Sequence, residues 1–259
     1  MREWVSPGFE MKVSAVVITL NEERHLAACL ESLRFCDEIV VVDAASTDRT
    51  AEIAARFTPR VYTRAFSDFS SQKNFGMAMA EGPWILSVDA DERVSDELRE
   101  EILGVVRNGG GDVSGYALKR WNFIFGRHLK HGGHEKDYPL RFIRKGRFSF
   151  EGPIHESLKP ENAAHRLSGI LYHDSTENAS AYLRKLNLYT GLEADRLRRL
   201  GRRPRIPELF ARPLGRFFER YLFRLGFLDG FEGFVFYLLS GYYDFVRYAK
   251  CREGEDAAT

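Results

Sequence analysis

The sequence predicts an α/β fold: a mostly parallel sheet with flanking helices, followed by a helical, aromatic and basic C-terminal extension. Three observations carry this expectation. Short β-branched apolar runs alternate with helical patterns through the first hundred or so residues. Acidic residues collect where those runs stop. The last quarter of the chain changes character and becomes rich in arginine and phenylalanine.

Residues 13–19 are an apolar run rich in β-branched residues, the pattern of a strand buried on both faces. Asn21 is placed to cap a helix in which Leu26, Leu30 and Leu33 share a face. Residues 38–42 read as a second buried strand, and Ser46 or Thr47 starts a helix running through Ile53 and Phe57. A short third strand follows at 60–63, a helix at 70–80 and a fourth strand at 84–88. Ser95 opens a helix carrying Leu98, Ile102 and Val105, and Gly109, Gly110 and Gly111 mark a loop. Further strand patterns lie around Arg141 and Arg144, at 148–150 and at 167–172, and a helix is expected over 178–200. Arg202, Arg203, Pro204 and Pro207 mark a boundary between helices, so the chain divides into 1–200 and 201–259. Strands alternating with helices imply right-handed crossovers. Ligands in such sheets sit beyond the carboxyl ends of the strands. The places to search are therefore 19–22, 43–48 and 89–91.

A chain of 259 residues accommodates one large domain or one domain with an appendage. A hydrophobic share of 44% and a charged share of 29% exclude a disordered or collagen-like chain. The formal net charge of +1 gives no global case for nucleic acid as a partner. Cys29, Cys36 and Cys251 are too few for a disulfide framework, and a reducing compartment fits. The N-terminus lacks the pattern of a secretory signal, and no stretch approaches the roughly 20 apolar residues of a spanning helix. The expected location is the cytoplasm.

The first strand ends T-L-N-E-E. This is neither G-x-G-x-x-G nor a P-loop, which argues against dehydrogenase and P-loop chemistry. Asp43 ends the second strand, with Ser46 and Asp48 behind it, and Asp89 and Asp91 end the fourth in V-D-A-D-E. Hard cations such as Mg²⁺ or Mn²⁺ take oxygen ligands. Alternate residues of an extended segment point the same way, so Asp89 and Asp91 can address one metal. A metal with open positions holds the phosphates of a nucleotide and neutralises a diphosphate leaving group. Helix capping is the other reading of these acids, above all of Asp48.

The ordered set T-L-N-E-E, V-V-D-A-A-S-T-D, Q-K-N-F-G and S-V-D-A-D-E resembles glycosyltransferase family 2, with its Rossmann-like GT-A fold. The segments G-P-I-H-E and Y-H-D extend the likeness, which is greatest to bacterial lipopolysaccharide inner-core β-1,4-glucosyltransferases. The resemblance implies inverting, metal-dependent transfer of a hexose, glucose in that group, from a UDP-sugar to a hydroxyl of a lipopolysaccharide-core or similar lipid-linked acceptor. Thr19, Asn21 and Glu22 match the nucleotide-binding segment, and Asp43 matches the acid that reads uracil or ribose, with Ser46 beside it. Lys73 is expected near the donor diphosphate. Asp91 matches the metal ligand, and Asp89 the acid that holds the donor sugar or ribose. An inverting transfer to a hydroxyl needs a carboxylate base. Glu156, with His155 as its orienting neighbour, is the first candidate and Glu151 the rival. His173 either completes the metal site or is an ordinary hydrogen-bonded histidine. Arg141 and Arg144 face donor or acceptor phosphates or form a solvated edge-strand face. His128, His131 and His134 read as acceptor-loop residues. Two other functions stay open: transfer to a polyprenyl phosphate, which needs no strong base, and a non-catalytic sugar-nucleotide-binding membrane scaffold.

Between Arg196 and Arg252 thirteen arginines and lysines stand against five acids, and thirteen aromatic residues lie between Phe217 and Tyr248. Aromatic side chains prefer the membrane interface and arginines attract anionic headgroups. The pattern predicts an in-plane pair of helices on the inner face of the cytoplasmic membrane, with an anionic membrane surface as partner. A dimerisation or core-packing segment is the alternative.

Overall fold

The computed structural model describes residues 12–111, 113–150 and 164–256. They fall into two compact units. The first holds the described residues up to Leu118 together with 139–150 and 164–170; the second holds 119–138 and 171–256.

In the first unit, β1 (Val13–Thr19), α1 (Leu26–Ser32), β2 (Glu38–Asp43), α2 (Thr50–Ala55), β3 (Val61–Thr63), α3 (Phe69–Met79) and β4 (Trp84–Asp89) alternate as expected. The four strands are parallel, in the order β3-β2-β1-β4. Val16, Val17, Val40, Val41, Val42 and Leu86 have no exposed surface, which is why these strands read as unbroken apolar runs. Leu26, Leu30 and Leu33 are likewise fully buried, each contributing about 2 kcal/mol of transfer free energy. A short β5 (Glu92–Val94) leads into α4 (Asp96–Arg107), whose Ser95 cap accepts from Leu98 N at 3.2 Å. Then come β6 (Gly115–Ile124), β7 (Arg127–His128), β8 (Leu140–Arg144) and β9 (His165–Thr176). Beyond β4 the sheet turns antiparallel: β8 pairs with β4, and β6 with β8. The sheet is therefore mixed, and its parallel half carries the motifs.

Four local expectations differ. Asn21 is not the cap of α1: it sits at φ 53, and His25 precedes the helix. Ser46 and Thr47 lie in a loop, and α2 starts at Thr50 because Asp48 Oδ1 accepts from Thr50 N at 3.0 Å. Residues 148–150 have no regular structure. β8 is an inner strand rather than an edge.

The second unit is largely helical. Asn178 caps α5 (Ala179–Arg199), accepting from Ala181 N at 2.9 Å. After the proline-marked break come α6 (Ile206–Phe218), a π turn, a 3₁₀ turn and α7 (Gly230–Asp256). A Cβ on Gly241 of α7 would stand 2.8 Å from Pro213 O of α6, so the glycine permits their close approach. Among the described residues no helix is long and apolar enough to cross a membrane.

Two glycines test the packing. A Cβ on Gly76 in α3 would lie 2.4 Å from Val16 Cγ1 in β1, whereas one on Gly104 in α4 meets nothing within 4 Å. Gly76→Ala is expected to cost about 1–3 kcal/mol in urea unfolding by overpacking. Gly104→Ala is expected to gain up to about 1 kcal/mol from helix propensity.

Candidate active site

The carboxyl ends of β1 and β2 are held level by their register, which pairs Thr19 with Asp43. Ala44 N donates to Thr19 O at 2.8 Å. Asp43 is buried; its carboxylate accepts from Ser46 N at 3.0 Å and from the Ser46 hydroxyl. Two left-handed residues, Asn21 and Ala45 (φ 64), turn the two loops toward each other. Asn21 N donates to Ser46 Oγ at 2.8 Å, and Asn21 Oδ1 accepts from Thr47 N at 2.8 Å. Glu22 N donates to Thr50 Oγ1, and Glu23 N to Asp48 Oδ2 at 3.2 Å. Burial pushes the Asp48 carboxyl up, but the bonds from Thr50 and Glu23 outweigh it and hold the group below the usual carboxylate range. Asp48 is a cap and a loop tie. Thr19 Oγ1 is buried without a hydrogen-bond partner.

The end of β4 is built differently. One oxygen of Asp89 lies 3.0 Å from Lys73 Nζ, and the other accepts from Arg141 Nη2. Arg141 Nη2 also reaches Glu92 Oε1 at 3.1 Å, and Glu92 Oε2 accepts from Asp89 N at 2.9 Å. Lys73, Arg141 and Glu92 are buried, and Asp89 keeps 26% of its side chain exposed. Lys73 and Arg141 thus meet Asp89 and Glu92 in one cluster. Lys73 does not lie on a helix surface: its ammonium also stands over the Phe150 ring at 5.2 Å. Its motif neighbours are structural. Gln72 Nε2 donates to Arg64 O and Ala65 O, Asn74 exchanges two bonds with the Phe150 backbone, and Phe75 packs edge-on against Tyr62.

Ala90 and Asp91 form the turn between β4 and β5, so Asp89 and Asp91 are not alternate residues of one extended segment. Asp89 faces the cation pair, and Asp91 stands half-buried in the turn. No group of three His, Cys, Asp or Glu side chains among the described residues converges as a metal cage. Arg144 corrects the expectation of a phosphate contact. A three-residue offset on a strand puts it on the face opposite Arg141. There it donates to Val113 O, Gly109 O and Gly111 O and stacks over Trp84 at 4.6 Å. A cavity of about 420 Å³, lined by Met77, Ile85, Ile143 and Phe148 among others, lies near the amino end of β4, away from the strand ends that carry the acids.

In the second unit His173 Nδ1 is 2.7 Å from Asn122 Oδ1, while Asn122 Nδ2 donates to Asp137 Oδ2 at 2.7 Å. Burial raises the Asp137 carboxyl, but Arg120 outweighs it and keeps the group below its usual range, so it accepts only. That fixes the Asn122 amide, whose Oδ1 then accepts from His173 Nδ1. His131 Nδ1 meets the buried Asp229 at 2.8 Å, and Tyr237 OH donates to the same carboxylate. Burial, then Arg220, pulls the His134 pKa down to about 4, so this ring is neutral. His128 stacks on Trp121 at 4.4 Å. Glu156, His155 and Glu151 lie outside the described residues. Glu92, Asn122 and Asp229 were missed by sequence reasoning. For Glu92 the signal was available, since a glutamate inside V-D-A-D-E, between buried strands, needs a buried cation.

Lys73 gives the test of this geometry. Lys73→Met removes the ammonium that faces Asp89 and is expected to cost about 3 kcal/mol in urea unfolding. Adding Asp89→Asn should recover part of that loss, the coupling expected of direct partners.

The family model described as glycosyl transferase family 2 matches residues 14–165. The lipopolysaccharide core biosynthesis glycosyltransferase LpsC of Rhizobium meliloti (strain 1021) is 32% identical, over 93% of this chain and 92% of its own length. A glycosyltransferase of Rickettsia typhi, RT0209, is 28% identical over 93% of this chain and 87% of its own. A crystal structure of S. aureus TarS residues 1–349 with UDP-GlcNAc is 27% identical with a TM-score of 0.37, over 43% of this chain and 35% of that one. With more than half of the chain matched by the family model and a full-length relative above 30% identity, the protein belongs to glycosyl transferase family 2 and is a glycosyltransferase.

Proposed function

We propose that the chain transfers a hexose, glucose by its resemblance, from a UDP-sugar to a hydroxyl of a lipopolysaccharide-core or similar lipid-linked acceptor, with inversion. The observation that carries this reading is the buried Asp43 carboxylate beside the unpartnered Thr19 hydroxyl at the carboxyl ends of β1 and β2. An ionised carboxylate has about four acceptor positions. The two bonds from Ser46 leave capacity for a base N–H or ribose hydroxyls, and Asn21, Glu22 and Ser46 shape the loop around it. The name of the Rhizobium relative supports the lipopolysaccharide-core acceptor. An acceptor of that kind also favours a place on the inner face of the cytoplasmic membrane.

Mg²⁺ or Mn²⁺, when bound, supplies positive charge to the diphosphate leaving group. Asp91 would hold it through a hard carboxylate oxygen; such a cation fills its other positions with water and phosphate oxygens. His173, whose Nδ1 bonds Asn122 Oδ1, is the histidine that the family resemblance implies for the metal. Lys73 and Arg141 hold Asp89 at the edge of the buried cluster, where its exposed part can accept from a sugar or ribose hydroxyl. Glu156, oriented by His155, takes the acceptor proton as that oxygen attacks the anomeric carbon opposite the diphosphate. One C–O bond forms, the anomeric C–O bond to phosphate breaks, and UDP leaves.

Calorimetric titration of UDP is expected to give binding that depends on Mn²⁺ and weakens at least about tenfold in Asp91→Asn. A folded sample that binds no UDP with or without metal removes the donor assignment.

Glu156→Gln is expected to lower turnover by roughly 10²–10⁴-fold while UDP binding persists. Near-normal turnover would instead favour an acceptor that is already ionised, a polyprenyl phosphate.

A further inference from the structure

We infer that α6 and α7 together form a shallow docking face for an anionic lipid surface. The inference deepens the membrane part of the reading above and uses none of its donor chemistry.

Phe210, Leu214 and Phe218 recur at four-residue spacing along α6, so they share one side of the helix, and each is about half exposed. Phe231, Leu238 and Tyr242 form a similar stripe on α7, with Phe231 73% exposed. Ring contacts make the stripes continuous. Phe210 lies 6.2 Å from Phe245, which stacks on Tyr242, and Phe217 touches both Phe218 and Phe234. Phe223, in the turn that follows α6, is 82% exposed. A contiguous apolar face of this kind marks an interaction site.

The charges of the same segment say what covers it. Asp244 is buried between Arg216 at 2.6 Å and Arg247 at 2.7 Å, and Asp229 is buried against His131. Two of the five acids between Arg196 and Arg252 are thus turned inward, while Arg203, Arg205 and Arg212 stand exposed. Arg216 and Arg247 pair with Asp244, so the outside keeps the basic excess that the composition states. A second copy of this chain would bring the same positive charge against itself. A bilayer with anionic headgroups accepts the phenylalanines at its interface and the arginines at its phosphates.

Cosedimentation of the full chain with vesicles tests this. Binding is expected to phosphatidylglycerol–phosphatidylcholine vesicles, weakening with added salt, and to be much lower with phosphatidylcholine alone. Phe210→Ser/Leu214→Ser/Phe218→Ser should reduce partitioning at least about tenfold, since several exposed apolar groups are lost. Arg203→Gln/Arg212→Gln leaves the apolar face intact and should reduce it by roughly tenfold or more. Circular dichroism on each variant establishes that it is folded. The inference is overturned if the full chain ignores anionic vesicles at low salt, or if folded variants of both kinds bind as the parent does. A dimer in light scattering that the triple serine variant dissolves would also overturn it, because a second copy would then own the face. UDP titration on the same samples separates the two readings: vesicle binding lost with UDP binding intact leaves the donor assignment standing, and the reverse leaves the docking face standing.

Discussion

Lys73, Arg141, Asp89 and Glu92 meet in one buried space at the end of β4, and their pairing decides where an acid can stand in this site. A lone buried ion would cost several kcal/mol, and paired ions repay that cost only with good geometry and further hydrogen bonds. Lys73 from α3 and Arg141 from β8 meet Asp89 from β4 and Glu92 from β5, so the cluster ties four elements to one point. Glu92 also takes the Asp89 backbone N–H, which fixes the turn that presents Asp91. The first acid is thereby held in place, and the second is carried half-buried on the turn.

The loops after β1 and β2 solve a different problem. They form a corner without the glycine-rich backbone that usually wraps phosphates. Side chains do the work instead: Asn21, Ser46, Asp48 and Thr50 cross-link two loops whose strand ends are already level. A cross-linked corner loses little freedom when a ligand arrives, which lowers the cost of binding. Asp43 is buried at the base of that corner, so its acceptor capacity points to one small region.

Most of the parallel half was legible because buried strands write themselves as β-branched runs and helices as leucines three or four apart. The acids at the strand ends were legible in the sequence, and the resemblance alone assigned Asp89 and Asp91 different tasks; their partners were not legible. Asp89 and Asp91 look equivalent in V-D-A-D-E, and the partners Lys73 and Arg141, sixteen and fifty or so residues away in the chain, separate them. Asn21 and Ser46 were read as caps because their side chains compete for backbone N–H groups in either role; here they satisfy a neighbouring loop. Arg144 was misread because counting polar residues on a strand says nothing of which face they occupy until the odd offset from Arg141 is considered. The chain from Asp137 through Asn122 to His173 has no local signature, since it joins residues whose proximity depends on tertiary pairing.

The helical unit inverts the usual distribution of side chains, and the inversion has an energetic direction. Glu193, Asp244, Arg216 and Arg247 spend their charges on one another between helices, with Glu193 2.7 Å from Arg247. Burying ions in this way is at best neutral relative to apolar packing. Leaving Phe223 and Phe231 in water forgoes roughly 1.5–3 kcal/mol for each ring. Neither choice stabilises the folded chain in water, and a simple exchange of the two sets would relieve both costs. An interface with lipid changes the sign of the second term without touching the first. On the proposed lipid surface the internal ion pairs would keep the helices in register while the rings enter the headgroup region, and the exposed arginines would gain where the phenylalanines gain.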